Sequence, residues 1–157
     1  MTRSTRHTAG FTLIELMVTV AIVGILASIG YPAYTDYVRR GQVQEAFAAM
    51  SDYQIKLETY FQDFRSYGTT ASGNCANDTN APAWKTFVPT NAKYFSYGCK
   101  VGTTTDTFVL TAPGIGGGVI GSVYTVDNNR AQRTTKFKGT TYTAPGKNCW
   151  LLKGSEC

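Results

Sequence analysis

One stretch constrains this chain more than any other: an apolar run from Phe11 to Tyr31 (FTLIELMVTVAIVGILASIGY) holding a single charged residue, Glu15. At 1.5 Å of rise per residue a helix of this length spans roughly 30 Å, the thickness of a bilayer's hydrocarbon core. The preceding segment, Met1 to Gly10 (MTRSTRHTAG), is polar and basic with no acid. Basic residues on that flank predict the N-terminus on the cytoplasmic side. A secretory signal peptide has the same layout, with small residues near Ala27 to Ala33 for cleavage. A plain transmembrane anchor fits as well. Neither accounts for Glu15, since a carboxylate in lipid is costly unless paired or protonated and so points to a role.

The pattern changes after Pro32. Tyr34, Tyr37, Val38, Val43, Ala46, Phe47, Met50, Tyr53, Leu57, Tyr60, Phe61 and Phe64 step by threes and fours, with Arg39, Arg40, Gln42, Gln44, Glu45, Asp52, Lys56, Glu58 and Asp63 on the other faces. That is an amphipathic helix with one buried stripe. One helix is therefore predicted from Phe11 to about Asp63, with Gly24, Gly30 and Pro32 as weak points and a kink expected at Pro32. Residues 68–91 are rich in Ser, Thr, Asn, Gly, Ala and Pro and read as a connecting loop, with short structure around Trp84 to Val88.

Strand signals follow at Tyr94–Lys100, Thr107–Ala112, Ser122–Val126 and Arg133–Lys138, rich in β-branched and aromatic residues. Asp127-Asn128-Asn129 reads as a hairpin turn with Asn taking positive φ. A helix followed by a run of strands predicts an α+β chain with an antiparallel sheet of about four strands. Pro113–Gly118 (PGIGGG) is a flexible link and not a phosphate loop, because no GKS or GKT ending and no helix follow it.

The chain has 157 residues and a net charge of +5. Without Arg3 and Arg6 the balance is +3, too weak alone to imply nucleic acid. Cys75, Cys99, Cys149 and Cys157 are an even number in an exported-looking domain and read as two disulfides formed in an oxidising compartment. Three pairings are open; Cys75–Cys99 with Cys149–Cys157 is favoured because each closes a local loop. A zinc site lacks a CxxC pair and any histidine beyond His7, so no metal or other cofactor is expected. No catalytic set of residues is found, and the chain does not read as an enzyme.

The segment Gly10-Phe11-Thr12-Leu13-Ile14-Glu15 resembles the processing site of the type IV prepilin family. The likeness continues through Leu16, Gly24 and Ile29 to Tyr31-Pro32-Ala33-Tyr34 and covers roughly the first third of the chain. It is similar to type IVa prepilins, most of all to PilE-type minor pilins. The resemblance implies a leader, residues 1–10, removed by a membrane prepilin peptidase between Gly10 and Phe11, with N-methylation of Phe11. It implies a transmembrane and filament-core helix at 11–33. The globular pilin domain would then occupy 34–157, made of helix 34–64, loop 65–92 and a sheet with a disulfide-closed C-terminus at 93–157. Glu15 would pair with the Phe11 amine of a neighbouring pilin subunit, neutralising two groups that are costly in an apolar core. The stretch between Gly24 and Pro32 would melt locally as subunits pack. The C-terminal segment Cys149 to Cys157 resembles the loop that staples the pilin C-terminus, with Trp150 and Leu152 packing inward. The implied localisation is the inner membrane of a Gram-negative bacterium, then an extracellular pilus serving adhesion, twitching motility or DNA uptake. A type II secretion pseudopilin shares the N-terminus and is the alternative.

Arg130, Arg133, Lys136, Lys138 and Lys147 form a basic cluster near Tyr124 and Tyr142. Strand alternation puts Lys136 and Lys138 on one face. A DNA-binding stripe, as in pilin-like DNA-uptake receptors, would give salt-sensitive binding. The plainer reading, a solvated basic edge that discourages sheet-to-sheet pairing, is preferred at this point.

Overall fold

The computed structural model describes residues 10–79, 82–154 and 156–157. Residues 1–9, with His7 and most of the expected leader, lie outside them. Helix α1 runs from Leu13 to Phe64, passing through Pro32 without a break. Its start is set by a reciprocal cap. The Thr12 N–H and hydroxyl donate to the Glu15 carboxylate at 2.9 and 2.8 Å, and the Glu15 N–H donates to Thr12 Oγ1 at 3.3 Å. It ends where Arg65 turns to φ 55°, its N–H still bonded to the Phe61 carbonyl at 2.8 Å.

The chain divides into two compact units, Met1–Thr35 and Asp36–Cys157. In the first, every described residue is exposed, including Leu13, Val20, Ile25 and Leu26. The second carries its own core. Val43, Ala46, Met50, Tyr53, Leu57 and Tyr60 are buried at spacings of three and four, the stripe that a 3.6-residue period lays along one helix face. All but Tyr60 join one core with Phe95, Phe108, Leu110, Ala112, Tyr124, Val126, Trp150 and Leu151. Both disulfides also fall in this unit, so it has what a small domain needs to fold alone.

The sheet has five strands, all antiparallel and in chain order: β1 (Gly98–Val101), β2 (Phe108–Pro113), β3 (Val123–Asp127), β4 (Gln132–Phe137) and β5 (Thr140–Thr141). The pattern foretold the helix-then-meander order but not β5, two threonines too short to stand out. It also started β1 too early. The amides of Lys93, Tyr94 and Phe95 instead converge on the Glu45 carboxylate at 3.1–3.2 Å, which leaves only an isolated bridge from Phe95 to Gly114. In the β3–β4 turn, positive φ falls on Arg130 (59°) and on neither Asn128 nor Asn129. Asp127 Oδ1 accepts the N–H groups of Asn129 and Ala131, both at 2.9 Å, which fixes the loop.

The outer edge of β1 is not left bare. Val101 N–H donates to Gly73 O (2.9 Å), Cys75 N–H to Cys99 O (3.3 Å) and Ser72 N–H to Gly102 O (2.9 Å). The Cys75–Cys99 disulfide, with a Cα–Cα distance of 5.4 Å, locks that segment against the strand. An edge covered in this way offers no template for another sheet.

Candidate assembly and DNA-contact surfaces

At the N-terminal end Phe11 is 89% exposed, and Glu15 is engaged by its own helix start through Thr12. Gly10, Phe11, Glu15 and Pro32 therefore lie along an exposed apolar stretch of the helix that no described residue covers.

The C-terminus is pinned by more than its disulfide. Cys149 and Cys157 are joined, Cα–Cα 5.8 Å. Trp150 stacks on Phe47 with centroids 4.5 Å apart and donates its indole N–H to the Thr125 carbonyl at 2.8 Å. The Thr134 hydroxyl donates to Cys149 O (2.7 Å) and accepts from Leu151 N–H (2.9 Å), while the Tyr124 hydroxyl donates to Leu151 O (2.9 Å). Leu151 is the fully buried leucine here. Leu152, expected inside, is partly buried and packs against the same core.

The basic residues divide differently from the expectation. Tyr124 pairs with Thr134 but Val123 pairs with Lys136, so Thr135 is an extra residue in β4. Thr134 and Phe137 point inward, which turns Arg133 and Lys136, three apart, to the outer face together. Lys138 does not share that face. It lies past the end of β4 at φ 49° and its ammonium bonds Asp36 Oδ1 at 2.8 Å. Arg133 Nη1 donates to Asn148 Oδ1 at 2.9 Å, and Arg130, Ala131, Gln132, Arg133 and Asn148 line an open hollow of about 420 Å³. Lys147 is held beside Thr134 by paired backbone bonds of 3.0 Å, its ammonium 5.5 Å from the Tyr142 ring centre. Four of the five cations thus remain available on or beside the outer face of β4.

Asp36 also accepts from Arg39 Nη2 at 3.2 Å. Lys138 first and Arg39 second hold its carboxyl below the usual range. Arg39 is 2% exposed and lies 4.7 Å from the Phe137 ring centre, and its Nε and Nη1 find no acceptor among the described residues. Among the described residues no group of three or more His, Cys, Asp or Glu side chains could hold a metal ion.

This arrangement of one long helix on a meander can be set beside known proteins. A family model described as "Type IV minor pilin ComP, DNA uptake sequence receptor" matches residues 32–120, more than half of the chain. The chain belongs to the type IV pilin family. A second model, the prokaryotic N-terminal methylation motif, matches residues 5–31 of this pilin. Relatives include the type IV major fimbrial protein FimA of Dichelobacter nodosus, 47% identical over 70 residues. A fimbrial protein of Moraxella nonliquefaciens is 50% identical over 58 residues, and the type IV major pilin protein PilE of Neisseria gonorrhoeae 43% over 72. The shares covered are 43% of this chain and 43% of FimA, 37% and 38% for the Moraxella protein, and 41% and 43% for PilE. The aligned part is less than half the length of each of these curated relatives. The pilin family is structural, and its helix is long and apolar enough to cross a membrane.

Three residues that position this pilin's surfaces were not singled out from its sequence. Glu45 anchors the start of the sheet segment from half the helix away, Gln42 caps the Gly118 N–H at 2.8 Å, and Asp36 ties Lys138 across 102 positions. Only one local signal hinted at them: polar side chains flanking the buried stripe of α1.

Proposed function

We propose that this chain is a minor subunit of type IV pili, held in the inner membrane by residues 11–33 before assembly and contacting duplex DNA through the outer face of β4. In this reading a prepilin peptidase removes residues 1–10, Phe11 becomes the methylated N-terminus, and Glu15 exchanges its Thr12 partners for the Phe11 amine of a neighbouring subunit. The globular unit then lies on the periplasmic and finally the extracellular side, where both disulfides are stable.

The observation that carries the filament role is the exposed apolar rod with a carboxylate near its start, which no described residue of the chain covers. The DNA role is favoured by the family description and by Arg133 and Lys136 standing on one face. The family match ends at residue 120, before this cluster, so the DNA contact rests on the cations themselves. Phosphate contacts by Arg130, Arg133, Lys136 and Lys147 would release counterions on binding. The test is titration of the globular unit, residues 36–157, with duplex DNA across a salt series. Replacing Arg133 and Lys136 by Gln should lower the log–log salt slope by about 2. Binding that is absent, or indifferent to salt, would remove DNA from the proposal and leave the filament role. The relatives named as major pilins favour a second reading, an abundant subunit, which counting subunits in purified filaments would separate from a sparse one.

A further inference from the structure

We propose that the glycine-rich loop between β2 and β3 is a second membrane contact, setting Ile115 and Ile120 among the headgroups of anionic lipid. The loop is closed on itself. Gly114 N–H bonds Ser122 O at 2.9 Å and Ser122 N–H bonds Val119 O at 3.0 Å. A Cβ added at Gly114 would come within 2.1 Å of the Val119 carbonyl, so the chain crosses itself there with only glycine allowing it. Ile115 and Ile120 each stand one residue past that crossing. They are 59% and 63% exposed, whereas Val119 between them is fully buried and fastens the loop to the core.

The surroundings say what such a tip would meet. The loop rests on the first turns of the globular unit's helix, through Gly118 N–H to Gln42 Oε1 at 2.8 Å and close approach of Gly118 to Arg39. Lys93 lies at one flank, its carbonyl 3.1 Å from a Cβ built at Gly116. Lys138 lies at the other, because Gly139 N–H bonds Gly121 O at 2.8 Å, but its ammonium is held by Asp36, so the charge of the rim comes from Lys93 and Arg40. Exposed Arg40 follows Arg39 on the helix. The nearby acids are already engaged, Asp36 by Lys138 and Arg39 and Glu45 by three amides. An apolar tip inside a basic rim suits the boundary of an anionic bilayer. A second copy of this chain is a poorer partner, since it is itself basic without its leader.

Distance permits the contact. Asp36, which Lys138 grips, is five residues past Tyr31, the end of the apolar run. Five residues reach at most about 18 Å fully extended and about 8 Å as helix. The headgroup layer on each side of a bilayer is roughly 5–8 Å deep. The inference rests on the reading that residues 11–33 lie in the membrane, but its test does not need them.

The globular unit, residues 36–157, is floated with vesicles of phosphatidylglycerol and phosphatidylethanolamine, and with phosphatidylcholine vesicles as the neutral reference. Binding to the anionic vesicles is expected. I115S/I120S should weaken partitioning at least about tenfold, because both side chains lose their apolar transfer. Lys93→Gln should weaken it about fivefold at low salt and not at all at high salt. The thermal midpoint of I115S/I120S should match the parent, as neither isoleucine is part of the core. Parent binding no better than that of I115S/I120S would overturn the proposal. So would a 36–157 unit whose I115S/I120S form binds the anionic vesicles as the parent does while the full-length I115S/I120S chain makes fewer filaments, which would assign the isoleucines to sister subunits. The full-length I115S/I120S chain floated with the neutral phosphatidylcholine vesicles reports separately on the anchor: its failure to float would sink the membrane reading of residues 11–33 and leave the loop result standing.

Discussion

The two halves of α1 obey the same backbone geometry and opposite packing logic. From Asp36 to Phe64 the helix buries one stripe, and everything that stripe touches lies in its own chain. From Leu13 to Thr35 it buries nothing, although its side chains are the most apolar of the protein. A soluble helix that is apolar all round would aggregate; one that keeps its register over this length needs lipid or sister helices as solvent. The comparison teaches that the second half of α1 finds its partner among the described residues of its own chain and the first half does not. Mutations should therefore separate the halves cleanly, one set changing assembly and the other changing stability.

The sharpest break comes from Glu15→Leu. It removes the acid on the apolar rod without touching the globular core, and the loss of Thr12 as a capping partner is a local effect of about 1 kcal/mol. Filament yield should fall more than tenfold, while membrane insertion and the thermal midpoint of the globular unit stay as they were. Normal filaments from Glu15→Leu, counted by electron microscopy, would end the register role.

The mirror experiment is Met50→Ala. Met50 is fully buried at the centre of the second half, and removing such a side chain typically costs about 2–5 kcal/mol. Urea unfolding of residues 36–157 should show that loss at an unchanged slope, and membrane insertion of the full chain should not change. A Met50→Ala domain as stable as its parent would mean the stripe is not the core.

What the sequence showed and what it hid follows the same division. The apolar run, the buried stripe and the helix-then-meander order were legible because each is a periodic pattern over many consecutive residues. The partition of the basic cluster was not. One extra residue at Thr135 turns Lys136 to the face of Arg133, and no local pattern marks a bulge that depends on β3 pairing. The Glu45 clamp and the Asp36–Lys138 pair join positions 48–50 and 102 residues apart, and such contacts leave no trace in composition or period. Leu151 is buried more fully than the expected Leu152 because the Thr134 and Tyr124 hydroxyls fix the chain's rotation there.

Alkaline pH should separate the halves more gently. Burial, with smaller help from neighbouring carboxylates at Asp52 and Glu58, pushes Tyr53 and Tyr67 up to about 12, and burial does the same for Tyr124. Burial raises Tyr60 and Tyr97 as well. A group whose folded pKa is raised stabilises the fold fully below its unfolded value, near 10, and loses that contribution as pH climbs through the folded value. The globular unit should therefore unfold between about pH 10 and 12, and tyrosinate absorbance from these residues should rise together with loss of near-ultraviolet dichroism. Helical signal from residues 13–35 in vesicles should persist over the same range. Ionisation well ahead of unfolding would show that these five hydroxyls are freely hydrated.

The smallest expected change is at Arg39, the one charge inside the second half's buried stripe. Its guanidinium has one carboxylate, shared with Lys138, and two nitrogens without acceptors. Removing a buried cation from water costs several kcal/mol, and one shared partner with an aromatic face returns only part of that. Arg39→Met keeps the bulk against Phe137, and Lys138 alone still neutralises Asp36. Denaturant unfolding of Arg39→Met should give a stability equal to the parent's or higher by about 1–4 kcal/mol. Asp36→Asn should move the midpoint the other way, since it leaves the buried cation with no counter-charge. If Arg39→Met instead unfolds the domain as badly as Met50→Ala does, the arginine is an integral part of the core, and the second half of α1 would need a charge as well as an apolar stripe to hold its sheet.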